Sequence, residues 1–157
     1  MKQLIIYYSY EGNTKLIAEE MANATGADLM AIKPLKEMKS KGFMKYVWGG
    51  KAAVMKQKPK LEPLTHNMEN YDRIIFGTPV WAGTFAPPFN TLFSDFEIKD
   101  KKVGIFCCHA GGMGRVFDNF KKQLKDNTLV GQLEIIDPLN SGKKDKIEKS
   151  ISWINSL

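Results

Sequence analysis

Cysteine and histidine are scarce in this chain, with two of each, and that scarcity removes several chemistries at once. Cys107 and Cys108 are adjacent, and because neighbouring side chains on a strand point to opposite faces, a structural disulfide between them is disfavoured. They form no C-x-x-C pair, and neither His66 nor His109 stands at a ligand-like spacing from them, which leaves zinc without support. No Ser/His/Asp or Cys/His arrangement for nucleophilic catalysis can be placed. Long hydrophobic runs are missing too: none approaches the roughly 18 residues that span a bilayer. The apolar stretch Leu4 to Tyr8 begins too near the terminus and is too short for a signal peptide. With both thiols free, a reducing, cytoplasmic setting is the expectation. Also absent are a Walker A sequence and the G-x-G-x-x-G fingerprint, so ATP hydrolysis and a Rossmann-type dinucleotide site are disfavoured.

What is present suits one compact domain over residues 1–157, since that length supports a real core and 43% of the residues are apolar. The net charge of +6 is unevenly placed. Residues 33–60 hold nine lysines against Glu37 alone, a local +8, so the remainder carries −2. The basic character therefore belongs to one segment.

Gln3 to Tyr8 is a nearly continuous apolar run, as a strand buried on both faces requires. A helical stripe of Leu16, Ile17, Ala18, Met21 and Ala22 follows from Thr14, with Gly26 as its stop. Asp28 to Lys33 is a weaker strand. Phe43, Met44, Val47, Trp48, Ala52 and Met55 predict a helix over residues 41–56, weakened by Gly49 and Gly50. Asp72 to Gly77 is the next strand, ending at a Gly/Pro-rich loop. Phe89, Leu92, Phe93 and Phe96 fit a short helix. Lys101 to Cys108 is a strand, Arg115 to Lys125 an amphipathic helix, Leu133 to Asp137 a short last strand, and Lys146 to Leu157 a last helix. Five strands alternating with helices predict a parallel sheet covered on both faces. In such a sheet ligands sit beyond the carboxyl ends of the strands, so the loops over residues 9–14, 78–88 and 109–114 should converge at one end.

The first of these loops reads Ser9-Tyr10-Glu11-Gly12-Asn13-Thr14. Gly12 permits close approach of the backbone, while Ser9, Asn13 and Thr14 supply short polar groups. Free amides at a helix start favour an anion there without a lysine. A plain turn with a helix cap is the competing reading of the hexapeptide alone. Glu11 opposes an anion unless its carboxylate points to solvent, which is the expectation.

On these residues the sequence resembles the flavodoxin family over nearly its whole length. Ser9, Gly12 and Thr14 fall on the first, fourth and sixth positions of the family pattern T/S-x-T-G-x-T, and Glu11 replaces the usual third hydroxyl. The resemblance implies a flavodoxin-like three-layer α/β/α sandwich with a five-stranded parallel sheet in the order 2-1-3-4-5. It also implies FMN, held non-covalently with its phosphate in the first loop. Thr78, Pro79, Val80, Trp81, Ala82 and Gly83 match the loop after the third strand. There Trp81 is the candidate wall for the isoalloxazine, with a core or surface tryptophan as the alternative. Ala82-Gly83 is the candidate for a peptide that reorients near the flavin on reduction. His109, Ala110, Gly111, Gly112, Met113 and Gly114 take the place of the second ring-binding loop, where flavodoxins often present a tyrosine and this chain has none. His109 either bonds the cofactor or finishes its strand.

Flavin carries the redox chemistry while the protein sets potential, access and partners. The favoured expectation is an electron carrier between redox proteins, with acidic docking surfaces on the partner suggested by the lysine-rich segment. Flavodoxins are typically acidic, so this segment is a departure. Positive potential there would favour an anionic reduced flavin. The enzymatic alternative is an NAD(P)H-dependent flavin or quinone reductase, which the missing loop aromatic keeps open. A non-redox module using the basic 33–60 surface on a membrane or nucleic acid is the third, disfavoured by the lack of any nucleic-acid motif.

Overall fold

The computed structural model describes residues 1–37 and 57–157, and the helix expected over residues 41–56 lies outside the described residues. The described elements run β1 (Gln3–Tyr7), α1 (Asn13–Thr25), β2 (Asp28–Ala31), a short 3-10 turn (Met68–Asn70), β3 (Arg73–Trp81), β4 (Thr84–Phe85), α2 (Pro88–Asp95), β5 (Lys102–His109), α3 (Val116–Gln123), β6 (Thr128–Ile136) and α4 (Lys143–Asn155). Strands β2-β1-β3-β5-β6 form one parallel sheet in that order. With the two-residue β4 set aside as an antiparallel partner of β3, this is the order the resemblance implies.

Strand alternation builds the three layers. Leu4, Ile6 and Tyr8, with Ile74, Phe76, Ile105 and Cys107, share a core with Phe89, Leu92, Val116 and Phe120 from α2 and α3. Ile5, Tyr7, Ile75, Phe106 and Cys108 instead meet Ile17, Ala18 and Met21 of α1 and Ile154 of α4. Each fully buried side chain of this size contributes about 1.5 to 3 kcal/mol. Phe76, Phe85, Phe89, Phe93 and Phe120 form one aromatic group, closest at 4.8 Å between the Phe85 and Phe120 centroids. Gly77 leaves room for the Phe106 ring, since a Cβ there would lie 2.1 Å from its tip.

Two stretches differ from expectation. The Gly/Pro-rich segment after Gly77 continues as strand to Trp81 and turns back through Ala82 and Gly83, both at positive φ. Two such residues between paired strands make the tight hairpin turn whose twist suits antiparallel strands. Pro79 is tolerated because β1 pairs with β3 only as far as Gly77, so the missing N–H breaks no ladder on that side. The last strand begins at Thr128, five residues earlier than Leu133, because its first half is an exposed edge with little apolar alternation.

The chain leaves the sheet after β2 through a two-limbed neck. Pro34 pairs with Leu61 in antiparallel fashion, and the Leu35 amide donates to the Lys60 carbonyl at 2.8 Å while the Glu62 amide donates to the Lys33 carbonyl at 2.7 Å. No helix among the described residues is long and apolar enough to cross a membrane.

Candidate functional site

All three expected loops meet at the carboxyl end of the sheet around a cavity of about 440 Å³, a size suited to a small organic ligand. Its lining includes Ser9, Tyr10, Glu11, Asn13 and Thr14 from the first loop, Pro79, Val80 and Trp81 from the second, and His109 and Ala110 from the third.

The first loop is shaped by its own side chains. Ser9 Oγ accepts the Gly12 amide at 3.2 Å, and Gly12, at φ +103°, turns the chain into α1. The first intrahelical bond runs from the Leu16 amide to the Gly12 carbonyl, so the amides of Asn13, Thr14 and Lys15 have no partner within the helix. Thr14 is only 1% exposed, yet its Oγ1 lacks a hydrogen-bond partner of ordinary geometry. The Cys108 thiol is its weak polar neighbour. An unsatisfied hydroxyl at that depth costs free energy, and here it lies on the cavity wall. The Glu11 side chain is exposed, and Glu11 is also among the residues lining the cavity.

Trp81 lines the cavity but is 7% exposed. Its ring meets Tyr8 edge-on at 5.5 Å and Tyr10 at 5.8 Å, so it reaches the cavity as part of a packed aromatic group. Burial first, then the Glu37 carboxylate that accepts the Tyr8 hydroxyl at 2.6 Å, push that phenol well above its ordinary range. It stays protonated.

His109 finishes β5 and uses both ring nitrogens inside the protein. The Gly112 amide donates to Nδ1 at 2.8 Å, and because an amide can only donate, Nδ1 carries no proton in this arrangement. Nε2–H therefore faces Glu134 Oε1, at 2.5 Å. The imidazole shapes the third loop and has no ring nitrogen left to offer a ligand. Cys107 and Cys108 are both buried free thiols, and burial is the main reason each is pushed up to about 12.

Several expected residues support the cavity from behind. Thr78 Oγ1 accepts the Ala86 amide at 3.0 Å and donates to the Pro79 carbonyl at 2.8 Å, fixing the hairpin. The Gly83 carbonyl accepts the Arg115 amide at 2.8 Å, and a Cβ on Gly114 would lie 2.4 Å from Gly83 Cα. The second and third loops thus touch backbone to backbone. Ala82, Gly83, Gly111, Gly112, Met113 and Gly114 are outside the lining set, and Met113 packs against the core below α3. Gly12 also stands behind the lining, with Leu139 over it.

Sequence reasoning missed the fourth loop, residues 137–142. Asp137 and Asn140 line the cavity with Cys108. The Asp137 amide donates to the His109 carbonyl at 2.8 Å, Asn140 Nδ2 donates to Asp137 Oδ1 at 2.8 Å, and the Leu139 amide donates to Asn13 Oδ1 at 3.0 Å. The signal was available: Asp137-Pro138-Leu139-Asn140-Ser141-Gly142 is rich in turn residues and follows a strand, as the other three loops do. The assembled site offers donors for one anionic group at the start of α1 and an aromatic and aliphatic wall for a flat group beyond it.

The family model described as flavodoxin matches residues 2–154. Among solved structures, a Bacteroides eggerthii protein is 25% identical over 99% of this chain and 97% of its own, with a TM-score of 0.77. A flavoprotein from Lactobacillus acidophilus NCFM, solved in complex with FMN, is 25% identical over 94% of this chain and 98% of its own, with a TM-score of 0.67. The two-electron reduced flavodoxin of Megasphaera elsdenii, 22% identical with a TM-score of 0.55 over 96% of this chain and 98% of its own, shares the fold.

Proposed function

The chain belongs to the flavodoxin family, and from that premise we propose that it binds FMN at the four-loop cavity and carries electrons between redox proteins. The observation that carries the proposal is the Thr14 hydroxyl, buried without an ordinary partner on the cavity wall. It fits a phosphate, which would accept from that hydroxyl and from the free amides opening α1. No lysine or arginine is among the described lining residues, so among these residues the helix start and neutral donors supply the attraction. Glu11 and Asp137 are the carboxylates among the described lining residues, and they oppose a ligand with more negative charge than one phosphate group brings.

FMN supplies one- and two-electron redox chemistry when bound. The protein's own residues orient and shield it: Tyr10, Val80 and Trp81 give an apolar wall that excludes water, Ala110 brings backbone close, and the His109 and Glu134 pair holds the loop behind it. The L. acidophilus relative in complex with FMN supports this assignment. Reductase activity with NAD(P)H is the second reading, favoured by the absence of an aromatic side chain from the third loop.

Reconstitution tests both readings. Addition of FMN quenches its fluorescence at micromolar protein, and anaerobic titration with a reductant proceeds in two separate one-electron stages if the protein is a carrier. Rapid oxidation of NAD(P)H without those stages establishes the reductase instead. Failure to bind FMN at micromolar concentration overturns both.

A further inference from the structure

We infer that the two-limbed neck, residues 33–37 and 57–62, is the docking surface for an acidic redox protein, an inference that rests on the carrier reading above. Its centre is apolar: Leu35 is 60% exposed and lies with Lys36, Pro59 and Lys60 around a shallow depression. Lys33, Lys36, Lys58 and Lys60 are exposed around it. An apolar centre within a charged rim is the anatomy of a protein interface.

Both limbs of the neck are fastened to the body of the fold. One limb is fastened to α2, where Thr91 Oγ1 donates to the Pro59 carbonyl at 2.7 Å and Lys58 Nζ donates to Ser94 Oγ at 3.2 Å. The other ends at Glu37, whose carboxylate accepts the Tyr8 hydroxyl, and the Tyr8 ring packs on Trp81. The neck is thus linked through Glu37 and Tyr8 to Trp81 on the cavity wall. Glu37 is committed to Tyr8, and Glu62 is the other carboxylate on the limbs.

Charge complementarity fixes the kind of partner. Among the described residues the two limbs hold four lysines against Glu37 and Glu62, a net +2, while residues 1–32 and 63–157 carry −1, so an acidic protein is drawn to the neck in preference to the rest of the described surface. In the docked pair one electron passes from the partner's reduced centre to the oxidised flavin, with no bond made or broken.

The test uses a reduced acidic [2Fe–2S] ferredoxin as probe, mixed by stopped flow with the FMN-loaded full chain at low and high salt. Two double variants lower the net charge equally: Lys36→Glu with Lys60→Glu at the neck, and Lys125→Glu with Lys149→Glu elsewhere. The neck variant is expected to lose about tenfold in the low-salt rate, the control far less, with amide shifts in ¹⁵N spectra centred on residues 33–36 and 58–62. Equal losses in the two variants overturn the inference, as do shifts elsewhere or binding to anionic vesicles without any shift from ferredoxin. FMN loading is measured separately by quenching. Its failure would overturn the carrier reading, while the amide shifts, which need no flavin, still decide the docking surface.

Discussion

Thr14 stores a small instability at the cavity wall. The Thr14→Val substitution keeps the shape and removes a buried hydroxyl whose polar neighbour is only the weakly bonding Cys108 thiol, so the urea midpoint of the ligand-free protein should stay level or rise slightly. FMN affinity should fall about tenfold, the worth of a hydrogen bond to a charged group. A midpoint drop with unchanged affinity would place the hydroxyl in the fold and not in the site. His109 behaves differently, since both of its ring nitrogens are already engaged. His109→Ala frees the Gly112 amide and leaves Glu134 without its donor, and is expected to destabilise the protein by about 1 to 3 kcal/mol, read by thermal melting. The histidine's alternatives were evenly matched in sequence, because nothing in His-Ala-Gly-Gly reveals that Glu134, 25 positions away, lies opposite. The aromatic character of the Trp81 site was readable, whereas its packing on Tyr8 and Tyr10 depends on how β1 and β3 lie side by side.

At the scale of elements, the third loop contains a paired comparison. A side chain at Gly114 would collide with the backbone of Gly83 at 2.4 Å and sit at φ +54°, whereas one at Gly111 would meet nothing within 4 Å. Gly114→Ala is therefore expected to cost about 2 kcal/mol or more through strain and displacement, and Gly111→Ala to stay within about 0.5 kcal/mol of the parent. Denaturant melts of the two variants check this, and similar losses would contradict the interlocked-loop arrangement. Strands β1 and β5 and helix α1 were readable because a continuous apolar run suits a strand buried on both faces and a 3.6-residue stripe suits a helix with one buried face. The extension of β3 was not, because Pro79 and Gly83 are ordinarily loop residues, and only the early end of β1 makes a strand possible there. The fourth loop was overlooked because the first half of β6 is an exposed edge with weak alternation, which made the strand leading into it look minor.

At the scale of the whole molecule, alternation across the sheet places Cys107 in one core and Cys108 in the other. Both thiols should be inert to Ellman's reagent at pH 8 in the native protein, with two reacting after denaturation. Their folded values of about 12 lie above the ordinary 9, and Tyr71, buried and donating to Asp28, is likewise pushed to about 12 from 10. The fold thus keeps protons that the unfolded chain releases from about pH 9 upward. These groups contribute their full stability below pH 9, and it drains away as pH rises toward 12. Urea midpoints measured across that range should fall steadily, and a flat profile would contradict the burial of these groups.

The contact of Gly83 with Gly114 gives the molecule a built-in reporter. The Arg115 amide proton is held by the Gly83 carbonyl, so it becomes exchangeable with deuterium only when the hairpin and the start of α3 part company. Its exchange rate counts openings of the seam between two loops that belong to different crossovers of the sheet. One resolved amide signal therefore reports how often that end of the protein breathes.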